Sequence, residues 1–230
     1  MIAAVIPALD EEETIGDVVS GIRGHVDVVI VVDNGSRDGT ASAAEAAGAD
    51  VVYEPQRGYG AACLGGVARA RELGASVVLF LDADGSDDPE DAPRLLEPVV
   101  NGEWDLALGI RTRASTESRA MMPMQRFGNW LAPLLMRVAV GARYRDMPPF
   151  KAIRMDALDR LALCDTGMGY IIEMLLKAHA QRLRVIEIEV RCRARRAGAS
   201  KISGTLRGTV RASLKITSSI ARHALGRTRG

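Results

Sequence analysis

Cysteine, histidine and surplus charge are scarce in this sequence of 230 residues. The cysteines Cys63, Cys164 and Cys192 lie far apart without a CxxC pair, so the sequence indicates free thiols and neither a disulfide framework nor a zinc site. The 30 basic and 29 acidic residues leave a net charge of +1, which disfavours a nucleic-acid binder because such proteins are usually strongly basic. The histidines show no motif spacing, and we interpret all three as structural or exposed: His25, His179 and His223.

A long apolar run is also missing. The most apolar stretch, WLAPLLMRVAV at residues 130–140, is too short to span a bilayer and is interrupted by Arg137. We interpret it either as a core helix or as an interfacial segment that docks on a membrane. Met1 leads directly into a strand-like run, so we expect no signal peptide and a cytoplasmic location. Peripheral contact with the inner face of the membrane stays open, since residues 207–229 contain basic but no acidic side chains.

The apolar residues that are present fall into strand-like runs separated by helical segments. The runs lie at residues 2–9, 26–33, 49–54, 76–82 and 104–111, and the first helices are predicted at residues 11–22, 40–47 and 59–73. Uninterrupted Val, Ile and Leu runs between helices predict a parallel sheet covered on both faces, which is an α/β fold. Beyond residue 115 we expect helices at residues 119–140, 169–180 and 205–225, with short strands after residue 146 and at residues 183–193.

Polar turns follow three of these strands: PALDEEE from Pro7, DNGSRDGT from Asp33 and DADGSDD from Asp82. Because the carboxyl ends of parallel strands share one edge of a sheet, the turns should converge on one crevice. Asp82 and Asp84 can face one hard cation, and Mg²⁺ or Mn²⁺ takes one or two carboxylates together with substrate phosphates. The acids that surround Pro89 are interpreted instead as the N-terminus of the next helix: Asp87, Asp88, Glu90 and Asp91.

The segments VIPALDEEETI, VVDNGSRDGT, RGYGAACLGGVARA and LDADGSDDPED occur in this order, and together they resemble family 2 glycosyltransferases of the GT-A fold. The later segments LALGIR, DMPPFKAIR, GYIIEMLLKA and RRAGASKISGT extend the resemblance to about residue 205 and are similar to polyprenyl-phosphate sugar transferases of the dolichyl-phosphate mannose synthase type. The resemblance implies a Rossmann-like, mostly parallel sheet flanked by helices. It also implies one domain over residues 1–230, with a nucleotide-sugar half (1–112), an acceptor half (113–204) and a basic C-terminal helix (205–230).

The resemblance implies a donor site built from several of these segments. Residues of the first turn would lie against the nucleoside and ribose: Pro7, Leu9 and Glu11. Residues of the second would read the base: Val32, Asp33 and Asn34, with Asn34 standing where the family often has Asp. The DxD motif would be Asp82, Ala83 and Asp84, with Asp82 and Asp84 as the metal ligands. A basic loop would close over the donor diphosphate through Arg195 and Lys201.

The resemblance also implies an acceptor site and a reaction. Arg111 would face phosphates and Arg126 would hold the acceptor phosphate. The expected reaction is an inverting, metal-dependent transfer of a hexose from a UDP- or GDP-sugar to a polyprenyl phosphate. A phosphate acceptor is already an anion, so it needs cations to hold it and no general base. Transfer to a soluble hydroxyl would need a base, for which Asp146 and Glu173 are the candidates. The alternative is that either residue is an ion-pair partner of one of the many arginines.

The alternatives to sugar transfer are a dinucleotide-binding enzyme, a nucleotidyltransferase and a module that only binds a sugar nucleotide. The run RGYGAACLGG reads G-x-G-x-x-C and follows a later strand, so it does not fit a dinucleotide-binding fingerprint. Its glycines are interpreted as permitting close packing near the nucleotide. A nucleotidyltransferase would carry a glycine-rich loop after the first strand, where this chain has PALDEEE. A module that binds a sugar nucleotide without transfer stays open, and it would release no nucleoside diphosphate.

Overall fold

The computed structural model describes residues 1–112, 115–116, 131, 133–138 and 140–194. The strands are β1 (Ile2–Ala8), β2 (Val28–Asp33), β3 (Asp50–Tyr53), β4 (Val77–Phe80), β5 (Leu106–Ile110), β6 (Lys151–Arg154) and β7 (Val185–Glu189). The helices are α1 (Glu12–Ile22), α2 (Thr40–Ala46), α3 (Tyr59–Glu72), α4 (Ala92–Val100), α5 (Met155–Leu161) and α6 (Tyr170–Ala180), with a 3₁₀ turn at Pro89–Asp91. The described residues between 131 and 140 are helical.

One seven-stranded sheet has the order β3-β2-β1-β4-β6-β5-β7. The expected parallel arrangement holds for β3, β2, β1 and β4, and for the pair of β5 and β7. It is wrong for β6, which runs antiparallel to both of its neighbours, β4 and β5. The chain leaves β5 at Ile110 on the carboxyl edge of the sheet and re-enters through Lys151 at that same edge, so β6 has to run in the opposite direction.

Both faces of the sheet are covered, as the uninterrupted apolar runs predict. Successive residues of a strand point to opposite faces, so Val5 and Phe80 join a core beneath α3, α5 and α6, whereas Ile6 and Leu79 join a second core beneath α1 and α4. Among the described residues, no helix combines the length and the apolar character needed to cross a bilayer. The three cysteines are free thiols, as expected.

Candidate active site

A cleft lies at the carboxyl edge of the sheet, between the ends of β1, β2 and β4 and the start of α3. Its walls include seven residues of the predicted donor site: Pro7, Leu9, Glu11, Asn34, Asp82, Ala83 and Asp84. The three polar turns therefore converge in space, although they are separated by more than twenty residues along the chain. The wall also includes Gly58, one of the glycines expected to pack near the nucleotide. Further wall residues were not predicted from the sequence: Ala8, Arg57, Tyr59, Ala62 and Met168.

The turn after β4 is held by its own carboxylates. The backbone N–H of Asp82 donates to Oδ2 of Asp87 (2.9 Å), and the N–H of Ser86 donates to Oδ1 of Asp84 (2.9 Å). Helix α1 supports the turn from below, because the hydroxyl of Thr14 donates to the carbonyl oxygen of Ala83 (2.8 Å). Asp82 is half-buried and Asp84 is buried at the floor of the cleft. The backbone of Asp82 and the carboxylate of Asp84 are thus both held by contacts within the protein.

Negative charge is concentrated at this turn. Burial raises the pKa of Asp82, and the nearby charges of Asp87 and Asp84 raise it further, while Lys151 and Arg111 oppose the increase. Burial and the charge of Asp84 likewise raise the pKa of Asp87. Such crowding favours a bound cation, because each ionised carboxylate destabilises the next one. No group of three or more His, Cys, Asp or Glu side chains is placed to hold a metal among the described residues. A metal held by Asp82 and Asp84 would therefore need further ligands, which substrate phosphates can supply.

The other acids of the turn, which were expected to stabilise the N-terminus of the next helix, also form hydrogen bonds within the turn and ion pairs with a distant part of the chain. Asp88 does cap the 3₁₀ turn, since its Oδ1 accepts the N–H of Glu90 (3.3 Å). Asp88 and Asp91 are nevertheless 1% and 2% exposed, and both form ion pairs with Arg191, which follows β7. For Asp87 the helix-terminus interpretation is wrong, because its carboxylate accepts the N–H of the first DxD residue. Arginines distant in the chain therefore neutralise much of this acidic turn.

A buried lysine lies beneath the DxD turn and was missed from the sequence. Lys151 is fully buried in β6, opposite Phe80 in the antiparallel ladder. Its Nζ donates to the carbonyl oxygen of Pro149 (2.9 Å) and lies 4.8 Å from the centre of the Phe80 ring. Burial lowers the pKa of Lys151, and the charge of Asp82 counteracts part of this change. The sequence contained one sign of this buried lysine: Lys151 stands at the start of a short apolar strand.

Arg111 and Asp146 bind each other instead of lining the cleft. Nε of Arg111 lies 2.8 Å from Oδ2 of Asp146, and Nη2 lies 3.0 Å from Oδ1, with the side chains 14% and 6% exposed. The carboxylate of Asp146 also accepts the backbone N–H of Arg111 and of Met147. The structure thus places the candidate base Asp146 in an ion pair with Arg111, which was the alternative role that the sequence left open.

Glu173, the other candidate base, is likewise held by contacts within the protein. Its Oε2 accepts the N–H groups of Cys164 (3.0 Å) and Asp165 (2.8 Å), and its Oε1 pairs with Nζ of Lys177 (2.8 Å). Burial raises the pKa of Glu173, but these partners outweigh burial and bring the pKa to about 2. Glu173 therefore fastens the loop before α6 to the first turn of that helix.

The residues expected to read the base have different surroundings. Val32 is fully buried in the core, so its side chain does not face the cleft. Oδ1 of Asp33 accepts the N–H of Ser36 (2.9 Å). Asn34 lines the cleft, but its Nδ2 donates to the carbonyl oxygens of two residues in the next loop, Glu54 (3.0 Å) and Gln56 (2.8 Å). Asn34 therefore shapes the wall of the cleft by joining two loops.

Glycines at the start of α3 permit the close packing expected from the sequence. A β-carbon at Gly58 or Gly60 would overlap the carbonyl oxygen of Thr166 or Asp165. Gly58 also has φ of 144°, which side chains rarely adopt. The N–H of Ala61 donates to the carbonyl oxygen of Thr166 (2.9 Å). This contact brings the loop before α6, and with it Met168, to the wall of the cleft. Arg126, Arg195 and Lys201 lie outside the described residues.

Comparison with known proteins places this cleft in a chemical context. An uncharacterized glycosyltransferase of Mycobacterium tuberculosis (strain ATCC 25618 / H37Rv) is 36% identical over 209 residues, which is 91% of this chain and 93% of the relative. An undecaprenyl-phosphate mannosyltransferase of Micrococcus luteus is 30% identical over 219 residues, covering 90% of this chain and 89% of the relative.

Solved structures with the same fold include glucosyl-3-phosphoglycerate synthase of Mycobacterium tuberculosis. Its complex with phosphoglyceric acid has 25% identity and a TM-score of 0.76. Its complex with Mn²⁺, uridine-diphosphate-glucose and glycerol 3-phosphate has 25% identity and a TM-score of 0.75. Both matches cover 96% of this chain and 80% of that chain. The expected GT-A fold is confirmed. Residues 3–176 match the sequence profile described as glycosyl transferase family 2. The protein is therefore a glycosyltransferase that belongs to family 2.

Proposed function

We propose that the protein transfers a hexose from a nucleotide diphosphate sugar to a polyprenyl phosphate, with inversion and with the help of a divalent metal. One observation carries the proposal: Asp82 and Asp84 lie in the same cleft as the first-turn residues Pro7, Leu9 and Glu11. Carboxylates for a metal thus adjoin a wall on which a nucleoside can lie, which is what a nucleotide-sugar donor requires.

The metal site fits Mg²⁺ or Mn²⁺ better than a metal held by protein alone. Asp82 and Asp84 would hold the ion, and the donor diphosphate would complete its ligands, because Mg²⁺ is usually bound by one or two carboxylates plus substrate phosphates. The raised pKa of Asp82 supports this assignment, since crowded carboxylates gain from a cation among them. When bound, the metal supplies positive charge that offsets the charge developing on the departing diphosphate.

The donor would lie along the cleft with its nucleoside against the end of β1. Pro7 and Leu9 offer apolar surface there, and Glu11 offers a carboxylate for ribose hydroxyls. Asn34 would contribute indirectly, by holding the loop that carries Arg57 and Gly58. The known structural relative binds uridine-diphosphate-glucose, which supports a UDP- or GDP-hexose as the donor.

The described residues favour an acceptor that is already an anion. In the proposed step, an acceptor oxygen attacks the anomeric carbon from the side opposite the diphosphate, and the electron pair of the breaking C–O bond stays on the diphosphate. A hydroxyl acceptor would have to lose its proton to a base. The two expected bases, Asp146 and Glu173, are held by Arg111 and Lys177. An acceptor phosphate needs no such base, only positioning by cations.

An exposed apolar surface supports a lipid acceptor. Within the helical residues 133–138, Leu134 is 40% exposed and Val138 is 77% exposed, with exposed Arg137 beside them. Residues four apart lie on the same face of a helix, so Leu134 and Val138 form one apolar strip. The similarity to an undecaprenyl-phosphate mannosyltransferase supports the same class of acceptor.

A soluble acceptor is the second candidate, because the structural relatives named above contain phosphoglyceric acid or glycerol 3-phosphate. To distinguish the two, we would incubate the protein and Mn²⁺ with UDP-glucose or GDP-mannose, and with either undecaprenyl phosphate in detergent or 3-phosphoglycerate. Released UDP or GDP and the glycosylated product would be measured. We expect turnover with the lipid phosphate and none with Asp84→Ala. Turnover with 3-phosphoglycerate alone would contradict the proposed acceptor, and no release of UDP or GDP would contradict the transfer itself.

A further inference from the structure

The chain that follows β7 crosses the acidic turn after β4. We call residues 191–193 the strap. The N–H of Arg193 donates to the carbonyl oxygen of Ser86 (2.8 Å), and Cys192 forms an antiparallel bridge with Asp87. The strap is thus joined by its main chain to the turn that carries the two DxD carboxylates.

Side chains of the strap reinforce this junction. Nη2 of Arg193 lies 2.8 Å from Oδ2 of Asp88, and Nε of Arg191 lies 3.0 Å from the same oxygen. The Asp88 side chain is 1% exposed, whereas those of Arg193 and Arg191 are 35% and 57% exposed. A buried carboxylate with two guanidinium partners has a well-defined position, because charge-assisted contacts are short and directional. Asp88 is therefore a fixed point between the strap and the turn.

Ser86 connects the strap to the DxD motif. Its carbonyl oxygen accepts the N–H of Arg193, while its own N–H donates to Oδ1 of Asp84 (2.9 Å). A shift of the strap would therefore move the residue that orients the Asp84 carboxylate. Resting on the function proposed above, we propose that Arg193 is a positioning residue for donor binding, which sets the placement of Asp84 through Ser86 and Asp88 without touching the donor.

This role predicts a particular kinetic signature. If Arg193 positions the DxD turn, its loss should raise the KM for the donor and the half-saturating Mn²⁺ concentration together, roughly tenfold, since small misplacements of binding groups are costly. The KM for the acceptor should stay unchanged. A merely structural role would reduce the fraction of folded enzyme, which lowers kcat and leaves the KM for the donor as it was.

The test compares Arg193→Met, Arg193→Lys and a matched control, Arg184→Met. Arg184 precedes β7 at its other end, where Nη2 lies 2.8 Å from Oδ1 of Asp105, so the control removes a similar pair far from the turn. Initial rates would be measured against UDP-glucose or GDP-mannose and against Mn²⁺. Hydrogen exchange of the backbone amides of residues 84–88 would be measured in the absence of donor.

We expect Arg193→Met to raise both constants and to speed exchange in the turn, Arg193→Lys to restore part of the loss, and Arg184→Met to match the wild type. An unchanged donor KM in Arg193→Met, or an equal rise in Arg184→Met, would overturn the inference while leaving the proposed function intact. A wild type that releases neither UDP nor GDP would instead overturn the proposed function, and the inference with it.

Discussion

At the scale of single residues, the buried pair of Arg111 and Asp146 is a contact whose loss has a clear expected result. Asp146→Ala should lower the free energy of unfolding by about 3–5 kcal/mol, because it leaves the guanidinium of Arg111 buried without its partner. Chemical denaturation would measure this loss. As a control, Asp156→Ala removes a surface pair with Arg154 and should cost below about 1 kcal/mol. Unchanged stability combined with abolished turnover would restore the interpretation of Asp146 as a base.

Arg126 carries a second prediction at this scale, although it lies outside the described residues. It lies shortly before the apolar stretch at residues 130–140, so the sequence places a cation near an apolar segment, as suits an acceptor with an anionic head and an apolar tail. Removing a charge-assisted contact costs roughly 1.5–3 kcal/mol. Arg126→Ala should therefore raise the KM for polyprenyl phosphate about tenfold to a hundredfold. An equal rise in the KM for the donor would count against this role.

At the scale of elements, Glu173 joins α6 to the loop that forms a wall of the cleft. Its pKa of about 2 lies below the ordinary value of 4.5, so its ionised form stabilises the folded state above about pH 4.5. This contribution is lost as the pH falls through 4.5 towards 2. Glu173→Gln should therefore lower the free energy of unfolding at pH 7 by on the order of 2–3 kcal/mol, and the difference from the wild type should shrink in that acid range.

Urea denaturation between pH 2 and pH 7 would check this pH dependence. Glu97→Gln, on the exposed face of α4, serves as the control and should differ little from the wild type at any pH. A deficit of Glu173→Gln that stays constant down to pH 2 would mean that packing, and not the charge of Glu173, is responsible.

At the scale of the whole molecule, the proposed metal and donor site predicts cooperative stabilisation by ligands. Mn²⁺ and UDP bound as one complex, present at about one hundred times its dissociation constant, should stabilise the fold by about 2.7 kcal/mol. For a chain of this size that corresponds to a rise in Tm of roughly 5–10 °C. Either ligand alone should have a smaller effect, because the diphosphate supplies ligands that Asp82 and Asp84 do not. Differential scanning fluorimetry would measure the shifts, and Asp84→Asn should remove most of the joint effect. A full shift with UDP in excess EDTA would contradict the metal site.

The sequence by itself determined the α/β class, the strands β1 to β5 and the edge at which the site lies. These features follow from local properties: apolar runs show that a strand is covered on both faces, and polar turns after parallel strands must share one edge. For this reason the polar turns that begin at Pro7, Asp33 and Asp82 were expected to meet in one cleft, whereas the individual residues Pro7, Leu9 and Glu11 followed from the family resemblance. The close packing of the chain at Gly58 and Gly60 also followed from the sequence, since only glycine tolerates such close approach.

Only the tertiary structure decided which distant residues meet. The direction of β6 depends on where the chain returns to the sheet, and that return buries Lys151 beneath the DxD turn. The pairing of Asp88 with Arg193 joins residues 105 apart in the chain. Periodicity reports which face of an element is apolar, but it carries no information about which element lies beside it. The partners of buried charges, and hence the difference between a base and an ion-pair residue at Asp146, are therefore set by packing across the whole fold.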